Sequence, residues 1–434
     1  MVQSEVRTPW GLSISSVTRK RDSVLSSQDP PRSGGASFLK RRQLSKQINR
    51  SRDQQADSRG NVKMARLLDN LLLLSFGLTL KIRVMGYWSL VYGYCALCTG
   101  VALLRLGWNI ILRPSTTFQW TVRETPPAAC LNDTSLGTHC YVRIKESGLR
   151  FHYVAAGERG KPLMLFLHGF PEFWFSWRHQ LREFKSEFRV VAVDMRGYGE
   201  SDLPSSTESY RLDYLVTDIK DIVEYLGYNR CFLVGHDWGG IIAWLCAIHY
   251  PEMVTKLIVL NSPHPCVFTD YALHHPSQML KSRYYFFFQL PYFPELMLSI
   301  NDFKALKSLF TSRSTGISCK GRWFTTEDLE AYLHALSQPG ALTGALNYFR
   351  NIFSVLPLSQ SEVKSPVLLL WGERDAFLEQ DMAEACRLYI RNHFRLNIIS
   401  GASHWLQQDQ PEIVNTLIWT FIKEGEGHKN YRNL

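Results

Sequence analysis

The stretch with the most specific chemistry is Gly235-His236-Asp237-Trp238-Gly239-Gly240, which follows a short apolar run and opens a helical one. Small residues on both sides of position 237 permit a tight strand-to-helix turn that holds the central side chain above a sheet. This is the nucleophile-elbow pattern with aspartate at its tip. The helix N-terminus beneath it favours a carboxylate and keeps it ionised. Asp237 as an ordinary helix cap would leave the flanking glycines unexplained. An ionised aspartate needs no base to become nucleophilic, attacks saturated carbon, and leaves an ester that an activated water can hydrolyse.

That second step needs a base. His404, in Gly401-Ala402-Ser403-His404-Trp405, follows a strand ending near Ser400. Asp375, in Trp371-Gly372-Glu373-Arg374-Asp375, follows the run Val367–Leu370 and would orient it, with Glu373 as the weaker rival. The order nucleophile, acid, histidine is the one such a fold uses. Both residues sit just past strand C-termini, where open α/β sheets build their sites. After the run Leu163–Leu167, His168-Gly169-Phe170-Pro171 can aim the Phe170 amide into the site, beside that of Trp238, as an oxyanion hole. Trp405 and Pro171 flank these groups and are expected to line the substrate side. Arg196–Asp202 reads as a structural loop, and His236 should point away from the chemistry.

These residues require a scaffold that turns strand ends towards one edge. The saturated apolar runs Leu163–Leu167, Val190–Val193, Cys231–Val234, Leu257–Leu260 and Val367–Leu370 suit strands buried on both faces. Helical stretches lie between them: Trp174–Phe188, Leu212–Leu226, Gly240–Tyr250 and Gln380–Arg391. This alternation predicts an α/β fold with a mostly parallel, doubly wound sheet. An antiparallel pair, Tyr141–Lys145 and Leu149–Ala155, precedes it. The aromatic, helical segment at about 262–362 reads as an inserted lid within a catalytic domain spanning 138–434.

Composition bounds the rest. The chain of 434 residues is 45% hydrophobic and 20% charged, enough apolar residue for a large core. Its net charge of +10 resides wholly in residues 1–83, which hold 16 Lys+Arg against 6 Asp+Glu. The remainder is neutral, so the body is not a general nucleic-acid binder. Residues 1–63 are polar and basic and read as a disordered tail. Residues 64–112 read as a membrane anchor. Val84–Leu104 is 21 residues without a charge, matching a bilayer core of about 30 Å. Residues 113–137 read as a juxtamembrane linker. Lys/Arg counts near the span are balanced, and the basic tail tips the orientation towards a lumenal domain in the endoplasmic reticulum. The sequons at Asn132 and Asn49 do not decide it, while Cys130 and Cys140 could pair in an oxidising compartment. No cysteine or histidine spacing implies a metal cage.

The constellation His168-Gly169-Phe170-Pro171, Gly235–Gly240, Asp375 and His404 resembles the α/β-hydrolase-fold epoxide hydrolases, over roughly residues 137–423. The resemblance implies an α/β-hydrolase fold, opening of an epoxide by aspartate, hydrolysis of the ester to a vicinal diol, and no cofactor. It also implies two lid tyrosines that donate to the epoxide oxygen. The first maps to Tyr284, five residues before Gln289. The second immediately precedes an Arg-Asn pair, and Phe349 stands there in Asn347-Tyr348-Phe349-Arg350-Asn351. Tyr348 could substitute only if the lid is shifted, because one residue rotates a helical side chain by about 100°. Expected partners are water, a hydrophobic epoxide and membrane lipid. A haloalkane-dehalogenase-like enzyme and a non-catalytic binding protein are the competing readings.

Overall fold

The computed structural model describes residues 71–79, 81–82, 85–86, 89–118, 128–317, 323–352 and 361–424. The expected tail 1–63 lies outside the described residues, with the Asn49 sequon. Before Val84, residues 71–79 are helical. The helix α1 (Ser89–Leu112) is 24 residues long and apolar enough to cross a membrane. It overlaps the expected Val84–Leu104 and continues through Arg105, because Leu106–Leu112 is again almost wholly apolar.

The domain that follows is built on eight strands. They are β1 (Thr138–Arg143), β2 (Arg150–Ala156), β3 (Leu163–Leu167), β4 (Arg189–Val193), β5 (Cys231–His236), β6 (Val254–Leu260), β7 (Val367–Gly372) and β8 (Phe394–Ile399). They lie in the order β1-β2-β4-β3-β5-β6-β7-β8. The first two pairings, β1 with β2 and β2 with β4, are antiparallel, and all others are parallel. This is the mostly parallel α/β-hydrolase sheet that the sequence predicts.

Both faces are covered, and the two-residue period of each strand sorts its side chains between them. From β3, Leu163, Leu165 and Leu167 join one core cluster, with Ile219 and Trp244 from α3 (Leu212–Tyr225) and α4 (Trp238–His249). Met164 and Phe166 join the opposite cluster, with Leu181 and Phe184 of α2 (Arg178–Phe184) and Ile418 and Phe421 of the C-terminal helix Pro411–Lys423. Burial of all five β3 side chains explains why this strand reads as a continuous apolar run.

Between β6 and β7 the chain leaves the sheet, and the described residues there form six helices: α5 (Pro265–His274), α6 (Pro276–Lys281), α7 (Arg283–Phe287), α8 (Phe293–Thr311), α9 (Thr326–Ser337) and α10 (Ala341–Arg350). Helix α8 is interrupted by non-helical residues Ile300–Phe303. Helix α1 touches this lid at α7. The Cys95 thiol donates to the Phe286 carbonyl at 3.0 Å, and the Tyr94 and Phe286 rings meet edge-on at 4.8 Å.

Cys130 and Cys140 are not joined, which corrects their suggested pairing. Cys130 lies in a short 3-10 turn whose amide donates to Glu327, and Cys140 faces Tyr153 across the β1–β2 pair.

Candidate active site

Asp237 sits between β5 and α4 with φ 50° and ψ −118°, a conformation that L residues rarely adopt. Its neighbours make the turn possible. A Cβ on Gly239 would collide with the Leu167 carbonyl, and one on Gly235 with the Gly239 carbonyl. Gly169 passes directly against the Asp237 side chain and leaves no room for another atom. The Ser262 hydroxyl donates to the Asp237 carbonyl at 2.8 Å and closes the turn from β6.

Three of the expected groups converge. The Phe170 amide donates to Asp237 Oδ1 at 2.8 Å. Oδ2 faces His404 Nε2 at 3.6 Å, and His404 Nδ1 is bonded to Asp375 Oδ2 at 2.7 Å. Asp375 is itself held by the amides of Phe377 and Leu378 on its other oxygen. Glu373 is the rival that fails: it bonds Ser400 and the Gly401 amide at the surface. Trp238 opens α4, where its amide has no acceptor within the helix.

Charge follows this geometry. Burial alone would lower His404, but Asp375 and then Asp237 outweigh it and push its pKa up to about 10. Burial alone would raise Asp237, but the bond to His404 and its charge hold the carboxyl below the usual range. The resting site is therefore an imidazolium between two carboxylates.

Aromatic rings roof the carboxylate. Phe349 is the hub, with centroids 5.0 Å from Phe170, 5.1 Å from Trp238 and Tyr285, 5.0 Å from Phe288 and 5.8 Å from Tyr284. Tyr284 stacks on Tyr285 at 4.7 Å, and burial, Tyr285 and the Asp237 charge raise its pKa well above 10. Tyr348 is turned the other way, and its hydroxyl donates to the Arg196 carbonyl at 2.7 Å. The suggestion that Tyr348 donates to a substrate is corrected by this orientation, which the helical rotation of one residue produces. Trp405 is also corrected. It packs behind His404 against Phe310 and donates to the Thr315 carbonyl, outside the aromatic roof. Pro171 is buried behind Phe170, and the peptide between them is cis.

A polar layer beneath the site is not apparent from motif spacing. Glu172 bonds His236 at 2.7 Å and accepts from Gln407 and Gln408, while His236 Nε2 donates to the His404 carbonyl. Asn261, on a positive φ of 41°, donates to the carbonyls of Ser403 and His404 and accepts from the Gly372 amide. These residues fix the backbone carrying His404 and the β7 end that leads to Asp375. The Glu directly after His168-Gly169-Phe170-Pro171 is the one sequence signal that could have found Glu172.

With the site assembled, the comparisons define the class. Residues 162–411 match the family model described as alpha/beta hydrolase fold. Human epoxide hydrolase 4 is 66% identical over 361 residues, covering 83% of this chain and 98% of that protein. The mouse protein of the same name is 68% identical over 343 residues, 79% of this chain and 95% of its own. The crystal structure of Bacillus megaterium epoxide hydrolase in complex with an inhibitor matches at TM-score 0.60 and 35% identity, covering 66% of this chain and all of that one. The chain belongs to the α/β-hydrolase family and, within it, to the epoxide hydrolases. It is a hydrolase.

Two outcomes test this geometry. Gly239→Ala should lower stability by at least about 2 kcal/mol in urea unfolding, because the added methyl meets backbone that cannot yield. The raised His404 pKa stabilises the fold fully below about pH 6.5 and is lost as pH rises through about 10. The unfolding midpoint should therefore fall over that window, and Asp375→Asn should flatten the slope.

Proposed function

We propose that this protein is a membrane-anchored hydrolase that opens hydrophobic, lipid-like epoxides to vicinal diols through an ester on Asp237. The observation that carries the reading is one carboxylate engaged on two sides: Oδ1 by the Phe170 amide, Oδ2 by His404 at 3.6 Å.

In the first step Asp237 Oδ2 attacks an epoxide carbon, the carbon–oxygen bond breaks, and Tyr284 gives its proton to the departing oxygen. A phenol with so high a pKa releases its proton only to a strong base, which a developing alkoxide is. Esterification removes the charge of Asp237, one of the two that hold His404 protonated. His404 then returns a proton to the tyrosinate, through solvent or directly, and becomes a base. It draws a proton from water, whose oxygen adds to the ester carbon. The oxyanion on Oδ1 forms against the amides of Phe170 and Trp238. Collapse expels the second alkoxide, which takes the proton of the new carboxylic acid and restores Asp237. No cofactor or metal enters the cycle.

An apolar substrate is favoured by the roof of Phe170, Trp238, Phe288 and Phe349, and by the contact of α1 with the helix carrying Tyr284. Membrane attachment rests on α1, and a lumenal face in the endoplasmic reticulum on the basic tail. Asn132 is exposed and available for glycosylation in that orientation. The dehalogenase reading draws on one observation: the buried Nε1 of Trp238 has no partner among the described residues and could meet a halide. Halide release from chloroalkanes checks it. Phe349 is what favours a non-catalytic binding protein.

Asp237→Asn should lower diol formation by at least about a thousandfold. In a single turnover in heavy-oxygen water, label should enter the Asp237 carboxylate and not the diol; label in that first diol would exclude the ester. Phe349→Tyr should raise kcat about tenfold and Tyr284→Phe lower it about a hundredfold. Tyr348→Phe should cost about 1–2 kcal/mol of stability with kcat unchanged, since its hydroxyl serves Arg196.

A further inference from the structure

The sheet edge distant from Asp237 holds a second group of side chains whose hydrogen bonds do not close. His152, on β2, has no exposed surface, and its Nδ1 is bonded to Asp194 Oδ2 at 2.7 Å. Asp194 accepts the Trp174 amide on Oδ1 and the Glu200 amide on Oδ2, so both its oxygens act as acceptors. His152 Nδ1 is therefore the donor, and Nε2 presents a lone pair. His139, on β1, bonds the Leu131 carbonyl through Nε2 at 3.0 Å. A carbonyl accepts only, so this nitrogen is the donor and Nδ1 also presents a lone pair. The two lone pairs face each other at 2.9 Å. Two neutral imidazoles cannot hold that arrangement without a cation between them.

Glu200 supplies the anion. A ligand atom of its carboxylate, of His139 and of His152 all lie within 4.8 Å of one another. The Tyr141 hydroxyl bonds one Glu200 oxygen and leaves the other available.

We propose that His139, His152 and Glu200 form a binding site for one divalent transition-metal ion, zinc by the character of its donors. Two imidazole nitrogens and a carboxylate oxygen suit zinc, with solvent completing a tetrahedral shell. Each histidine already has the outer partner that fixes a metal-binding tautomer: Asp194 for His152 and the Leu131 carbonyl for His139. Seating the ion requires the two nitrogens to part to roughly 3.3 Å, the separation set by ligand distances of about 2.0–2.1 Å. His139 and Glu200 are exposed and can make that movement while His152 stays fixed. The ion would join the edge strand β1 to the loop from Asp194 to Ser201. Binding of the ion there is independent of how Asp237 acts.

Detergent-solubilised full-length protein, stripped with a chelator, should bind zinc at one equivalent in calorimetric titration and gain thermal stability. Cobalt should give the visible absorption of a tetrahedral site. His139→Ala and Glu200→Gln alter exposed side chains and should each weaken zinc binding at least tenfold, with the unloaded melting temperature and epoxide turnover unchanged. No stoichiometric zinc in the wild type would overturn the proposal and leave a shared proton as the cation. Equal zinc affinity in wild type and both variants would overturn it as well, by placing the metal elsewhere.

Discussion

The whole site depends on the backbone at Asp237. A positive φ on a non-glycine residue costs of the order of 1–3 kcal/mol, and the surrounding contacts must impose it. They do so from β6 and β3. The Asp237 amide reaches the Leu260 carbonyl, the Ser262 hydroxyl reaches the Asp237 carbonyl, and Gly239 rests on the end of β3. The same strain raises the carboxylate out of the sheet and against the Phe170 amide. Relaxing the turn would also undo the packing of β3 on α4, so the strain persists because the core enforces it.

Electrostatics adds a second dependence. His404 lies between two carboxylates, and its protonation is set by how many of them are charged. In the proposed reaction this makes the base self-timing. While Asp237 is free, the imidazolium is neutralised and stable; once Asp237 is esterified, one of the two charges that hold the proton is gone. A base with an ordinary pKa would be neutral throughout and would not help hold the attacking carboxylate ionised in its dry site. The buried layer of Glu172, His236 and Asn261 keeps this coupling short-ranged by fixing the backbone that carries His404.

Much of this was legible in the sequence because it is local. The apolar runs of the parallel strands follow from burial on both faces, and the elbow from glycines at fixed offsets. Order along the chain admits Asp375 and Glu373 alike, and it is Asp375 that makes the hydrogen bond to His404. What could not be read depends on tertiary contact. Glu172 and Asn261 find their partners far along the chain, so no spacing announces them. Trp405 adjoins His404 in sequence and yet packs behind it, because the turn after Ser403 sends successive side chains to opposite sides. The histidine pair on β1 and β2 is invisible until the antiparallel register sets Tyr141 opposite His152 and His139 diagonally beside it.

Phe349 bears on how the site would meet charge. It occupies the centre of the roof, packed among five aromatic rings, and itself offers no hydroxyl to the anion that would form as an epoxide opens. An alkoxide there must be neutralised as it forms, since a buried charge without a partner is costly. In the proposed reaction Tyr284 would meet that demand, because its proton is held tightly until a stronger base appears. Its neighbour Tyr285 stacks on it and, after burial, is the next cause holding that proton in place. A tyrosine at 349 would divide the charge between two separate donors; phenylalanine leaves it to Tyr284 alone. The difference matters most in the transition state, where the alkoxide charge develops.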